Sequence, residues 1–135
     1  MEWLNDAGLE TVVVGPMPRY ESSLPRLLFF GGADNALSQA SLQSSLETSD
    51  RVIGETARAS GALYISLLDL LCSSGECTVY AKPNVPLQFD YVHLTTEGSL
   101  YVVERMMPRL DTLRLAEAAQ PTGRAPEVSA LGEDD

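Results

Sequence analysis

The chain has 135 residues and a formal charge of −10, from 19 acidic and 9 basic side chains, with 44% of its residues hydrophobic. That length suits one domain with one core, and the composition excludes collagen-like and wholly disordered classes. Nucleic-acid binding rests on clustered Lys and Arg, so 9 scattered basic residues argue against nucleic acid as a partner.

No stretch approaches the ~20 apolar residues of a membrane-spanning helix. The best candidate, Ala62 to Leu71, is cut by Asp69. The opening Met1-Glu2-Trp3-Leu4-Asn5-Asp6 lacks the basic and apolar regions of a signal peptide.

Trp3, Leu4 and Ala7 stand at helical spacing before Gly8, which reads as a helix tail with a glycine cap. Thr11 to Val14 is a short β-branched run closed by Gly15-Pro16, as expected of a strand buried in a parallel sheet. Pro16, Pro18 and Pro25 then place a loop of about ten residues at the strand's C-terminal end, where active sites of α/β proteins gather. Gly31 to Asn35 is a further break, followed by a Ser- and Gln-rich stretch read as helix. From Leu42 to Ser60 the apolar residues Leu42, Leu46, Val52, Ile53 and Ala57 outline an amphipathic crossover helix, with Gly61 as its C-cap.

Ala62 to Leu67 is the second strand signal, with Leu63 to Ile65 expected to run parallel to Thr11 to Val14. The fold class is therefore α/β. Leu87-Gln88-Phe89 forms a brief extended segment, and Thr95 or Thr96 caps a helix with an expected apolar face of Leu100, Val103, Met106 and Met107. Pro108 should end or kink it. From about Leu115 the chain turns Ala-, Pro-, Gly- and Glu-rich, so residues 1–114 form the domain and 115–135 a disordered acidic tail.

His93 is the chain's single histidine and follows Asp90 by three residues, just ahead of a helix. A tight loop at this spacing can turn the carboxylate onto Nδ1, fixing the tautomer while Nε2 faces a nucleophile. The same spacing also suits an Asp that only stabilises the turn. Cys72 and Cys77 bracket a short polar loop and, with one histidine, cannot complete a four-ligand zinc site. A small disulfide loop is the preferred reading, with two free thiols or a cysteine nucleophile for His93 as alternatives. Ser22, Ser23, Ser66, Ser73 and Ser74 read as loop or strand-end serines, because none sits in a strand-to-helix turn offering oxyanion donors. Tyr64, Tyr80, Tyr91 and Tyr101 form no regular platform and read as core or rim residues.

The run from Phe89 to Gly98, Phe-Asp-Tyr-Val-His-Leu-Thr-Thr-Glu-Gly, resembles the last sequence block of SGNH hydrolases, in which Asp-x-x-His-Leu-(Ser/Thr)-x-x-Gly supplies two triad members. Val12 to Pro18 with Leu24-Pro25, and the loop from Leu71 to Cys77, resemble the branch of SGNH domains appended to membrane-bound O-acyltransferases.

The resemblance implies a three-layer α/β/α sandwich and a Ser-His-Asp triad acting on O-acyl groups of cell-envelope carbohydrate; the acid-base role itself needs no cofactor. Asp90 and His93 would be the triad members present. The implied partners are an acyl donor, a carbohydrate acceptor and a membrane acyltransferase domain, at an extracytoplasmic location. No Gly-Asp-Ser block occurs, so the nucleophile and the N-terminal half of the sandwich are expected outside this sequence, which then reads as a C-terminal fragment, a split gene product or a decayed copy. The isolated chain is accordingly expected to be inactive. The rival expectation is a non-catalytic α/β remnant or binding module.

Overall fold

The computed structural model describes residues 3–4, 7–38, 43–73 and 76–118. Strands β1 (Val12–Val14) and β2 (Leu63–Ile65) pair in parallel, with Val12 opposite Leu63 and Val14 opposite Ile65. The connection between them carries helices α1 (Leu24–Ser38) and α2 (Gln43–Ala59). After β2 come the short helix α3 (Leu67–Leu71), the antiparallel pairs β3 (Cys72–Ser73) with β4 (Glu76–Cys77) and β5 (Tyr80–Lys82) with β6 (Val85–Pro86), and helix α4 (Thr96–Ala118). The α/β class and the parallel pairing are as expected.

Pro25 initiates structure where the sequence suggests a continuing loop. It occupies the first turn of α1, where a missing N–H costs nothing, and Ser23 accepts the first amides from Arg26 and Leu27. The glycine break appears as a kink at Gly32 rather than as an end of the helix. Leu42 and most of the Ser- and Gln-rich stretch fall outside the described residues. At the far end of α2, Gly61 adopts φ 72°, and the amides of Gly61 and Ala62 bond Arg58 O and Ala57 O. A side chain in that left-handed conformation would be strained, so the glycine cap is required there.

Two expected helix faces are wrong. Among the described residues of the expected α2 stripe only Ala57 is buried; Leu46 is half-buried, Val52 and Ile53 are exposed, and Gly54 and Ala57 face the sheet instead. Tyr64 imposes this choice, because a Cβ at position 54 would stand 2.8 Å from its ring. On α4 Leu100, Val103 and Met107 are exposed and Met106 is half-buried, whereas Gly98 and Val102 are buried. Gly98 sets this rotation by packing directly on the Leu87 carbonyl, with no room for a Cβ. Nor does α4 end at Pro108: the helix continues through it to Ala118, and Thr112 Oγ1 donates to Pro108 O at 2.8 Å. The remaining acidic sequence, residues 119–135, lies outside the described residues.

The main core joins Tyr20 of the β1–α1 loop, Leu24 and Leu27 of α1, Leu67 and Leu71 of α3, Val79, Leu87 and Val102. A smaller cluster of Ala57, Ala62 and Tyr64 seats α2 on the sheet with Val13. Thus the site loop is anchored between the β5–β6 hairpin and α4. Cys72 and Cys77 stand opposite each other in the β3–β4 pair and form a disulfide, with Cα atoms 3.9 Å apart. Both sulfurs are therefore committed, and the alternatives of free thiols or a cysteine nucleophile fall away.

Candidate active site

The segment Leu87–Thr95 is a closed loop built by its own polar groups. Gln88 bridges Leu94 in antiparallel fashion, Phe89 N–H donates to His93 O at 3.0 Å, and Thr95 N–H donates to Leu87 O at 3.0 Å. Thr95 is the N-cap of α4: its Oγ1 accepts the Gly98 amide at 2.9 Å and donates to Pro86 O at 2.9 Å. Between these ties Asp90 turns the chain, and its Oδ1 accepts the amides of Val92 at 2.9 Å and His93 at 2.7 Å. This is an Asx-type turn, in which a side-chain oxygen replaces a backbone acceptor.

The other carboxylate oxygen, Oδ2, stands 2.6 Å from His93 Nδ1. The two amide donors and then the imidazole lower the Asp90 pKa to about 2, so the carboxylate is ionised throughout the neutral range. An ionised acceptor at Nδ1 holds the proton there and leaves Nε2 as the basic nitrogen. The imidazole side chain is 68% exposed and, among the described residues, Nε2 has no hydrogen-bond partner. Phe89 stacks on the ring with centroids 5.7 Å apart and planes 17° apart, restricting its rotation.

Contacts across the fold fix this loop relative to β1. The Asp90 carbonyl accepts the first amide of α1, from Leu24 at 3.2 Å, and the fully buried Gln88 donates from Nε2 to Pro18 O at 3.0 Å. The expected proline loop after β1 does therefore border the Asp-His pair. Sequence reasoning overlooked Gln88 and Phe89. A polar residue between two apolar ones in an extended segment was the available signal for Gln88; Phe89 offered only its adjacency to Asp90.

No described serine hydrogen-bonds His93. Ser66 is buried as the N-cap of α3, with Oγ accepting the Asp69 amide at 3.0 Å, Ser73 lies in β3, and Ser74 lies outside the described residues. Among the described residues no three His, Cys, Asp or Glu side chains gather as a metal site, and no helix is long and apolar enough to cross a membrane.

The parallel α/β scaffold and the Asp-x-x-His pair at the start of α4 agree with the SGNH resemblance of the Phe89–Gly98 run. The family model "SGNH domain (fused to AT3 domains)" matches residues 1–108, and the chain belongs to that family. No curated protein matches the chain. Among solved structures it is similar to the periplasmic domain of a lipopolysaccharide acetyltransferase from Salmonella ser. Paratyphi A, with a TM-score of 0.60 and 20% sequence identity. The match covers 78% of this chain and 43% of that one, so the chain spans less than half of the solved domain.

Proposed function

We propose that residues 1–114 supply the Asp-His part of an SGNH-type serine O-acyltransferase or esterase site. The observation that carries this reading is the 2.6 Å contact between Asp90 Oδ2 and His93 Nδ1, with the imidazole exposed and no hydrogen bond to Nε2 among the described residues. Asp90 holds the tautomer and stabilises the imidazolium that forms on proton uptake. His93 Nε2 takes the proton of a serine hydroxyl as that oxygen attacks the acyl carbonyl. It returns the proton to the leaving oxygen, leaving an acyl-serine. A second hydroxyl, activated by the same nitrogen, then takes the acyl group. If that hydroxyl belongs to carbohydrate the reaction is transfer; if to water, hydrolysis.

The serine comes from a segment outside the described residues. The family's fusion to AT3 domains supports a membrane acyltransferase as partner and acyl source. The likeness to a periplasmic lipopolysaccharide acetyltransferase domain supports an extracytoplasmic setting, with cell-envelope carbohydrate as acceptor. The disulfide agrees with an oxidising compartment.

No described side chain hydrogen-bonds Nε2, which favours the second reading, a scaffold without chemistry. Aryl acetate hydrolysis separates the two. This chain alone should show negligible turnover, and joining it to an upstream-encoded segment that carries a Gly-Asp-Ser block should give turnover lost in both Asp90→Asn and His93→Ala. Turnover that persists in both variants puts the chemistry outside the Asp90–His93 pair, and no turnover in the joined protein leaves the non-catalytic reading.

A further inference from the structure

The outer edge of β2 opens into a cavity of about 460 Å³, within the range of small-molecule sites. None of the Asp90–His93 loop lines it, so it is separate from the proposed acyl-transfer site. Arg58 from α2 and Arg109 and Thr112 from α4 meet across it, with Tyr64 and Ser66 at its sheet side. Both helices pack on β2, which brings the two guanidinium groups to one opening.

Its polar groups are mostly donors. In the β1–β2 ladder Leu63 N–H bonds Thr11 O and Ile65 O accepts Gly15 N–H, so the alternate residue, Tyr64, turns its N–H and C=O to the outer edge. No other strand pairs there among the described residues. Ser66 is 8% exposed, and its hydroxyl proton has no acceptor among the described residues. Arg58 lies over the Tyr64 ring at 5.1 Å, and neither Arg58 nor Arg109 forms an ion pair with a described carboxylate. Ser66 supplies a buried donor, and the exposed guanidinium groups of Arg58 and Arg109 add positive charge at the opening, a combination that suits an acceptor-rich anion.

The charge of that anion follows from the remaining wall. Asp69 also lines the cavity, so two cations and one carboxylate leave a balance that suits a single negative charge and disfavours a dianion. Ile65, Pro108 and Leu113 add apolar surface, which suits a ligand with a hydrophobic body. We propose that this cavity binds a monocarboxylate carried on an apolar body. The carboxylate has two possible sources, a free small molecule or the chain's own acidic C-terminal residues Glu127, Glu133, Asp134 and Asp135, which follow α4.

The test is titration of the full ¹⁵N-labelled chain with benzoate, followed by the amide signals of Tyr64, Ser66 and Thr112, with acetate and inorganic phosphate as comparators. Saturable shifts at these amides are expected, with benzoate binding more tightly than either comparator. R58Q and R109Q should each weaken binding about tenfold, the effect of removing one charge-assisted contact. D69N should strengthen it, a gain that a misfolded variant would not give. Shifts that fail to saturate, phosphate binding as tightly as benzoate, or affinity unchanged in the R58Q/R109Q double variant would overturn the assignment. Amide replacement of the four C-terminal acids (E127Q, E133Q, D134N, D135N) identifies the source. Tighter benzoate binding shows the chain's own carboxylates competing for the cavity, and unchanged binding shows a free one; both outcomes keep the carboxylate site.

Discussion

Asp90 divides its work between its two oxygens, one holding the backbone of its own turn and the other holding the imidazole. Its depressed pKa therefore reports local folding. A group whose folded pKa lies below its unfolded value stabilises the fold fully above the unfolded value, here the ordinary 3.8, and ceases to do so as pH falls through about 2. We expect the Asp90 carboxyl ¹³C signal to titrate with a midpoint near 2 and the loop to loosen in that window; a midpoint near 3.8 would contradict the turn geometry. Gly98 makes a different demand. An added Cβ would meet the Leu87 carbonyl, which also receives the Thr95 amide, so the collision is with backbone that is already committed. Gly98→Ala should cost about 1–3 kcal/mol in urea unfolding, the usual range for overpacking.

Among the elements, the strands and breaks were legible because each rests on a local signal. Val12 to Val14 and Leu63 to Ile65 are β-branched, aliphatic or aromatic runs, and Gly61 and the Cys72–Cys77 spacing carry their geometry with them. Helix rotation was not legible. Which face of α2 or α4 turns inward is decided by single close approaches, Gly54 on Tyr64 and Gly98 on Leu87, that hydrophobic periodicity ranks below Val, Leu and Met. The Asp-His pair was legible as a motif, whereas Gln88 reaching Pro18 was not, since its partner lies 70 residues away. The disulfide closes a very short loop, so the chain-entropy contribution is small: Cys72→Ser with Cys77→Ser should lower unfolding free energy by about 2 kcal/mol. The measurement is urea unfolding of the oxidised parent against the double variant. Thr95→Ala, by removing the α4 cap, should cost about 1 kcal/mol in the same assay.

For the molecule as a whole, the sheet is the exposed weakness. Only two strands pair in it among the described residues, and the ladder uses Leu63 and Ile65 on β2 with Thr11, Val13 and Gly15 on the β1 side. Val12 and Val14 therefore turn their N–H and C=O groups to an outer edge on which no described strand lies. Val14 is itself 43% exposed, and Leu100, Val103 and Met107 leave an apolar stripe on α4 at 57%, 47% and 44%. An unpaired edge is a template for another strand, and uncovered apolar surface adds a driving force for association. The net charge of −10 opposes that association at low salt, but its repulsion is screened beyond about 10 Å at 0.1 M salt. The isolated chain should thus self-associate as salt rises, measured by light scattering across a concentration series. Val14→Lys places a charge at the open edge without touching the β2 side of the ladder. It should reduce association while leaving the far-ultraviolet circular dichroism spectrum unchanged. A parallel Leu100→Lys change tests the α4 stripe. If Val14→Lys leaves scattering as it was and Leu100→Lys removes it, association runs through the helix face and the edge-pairing account is wrong.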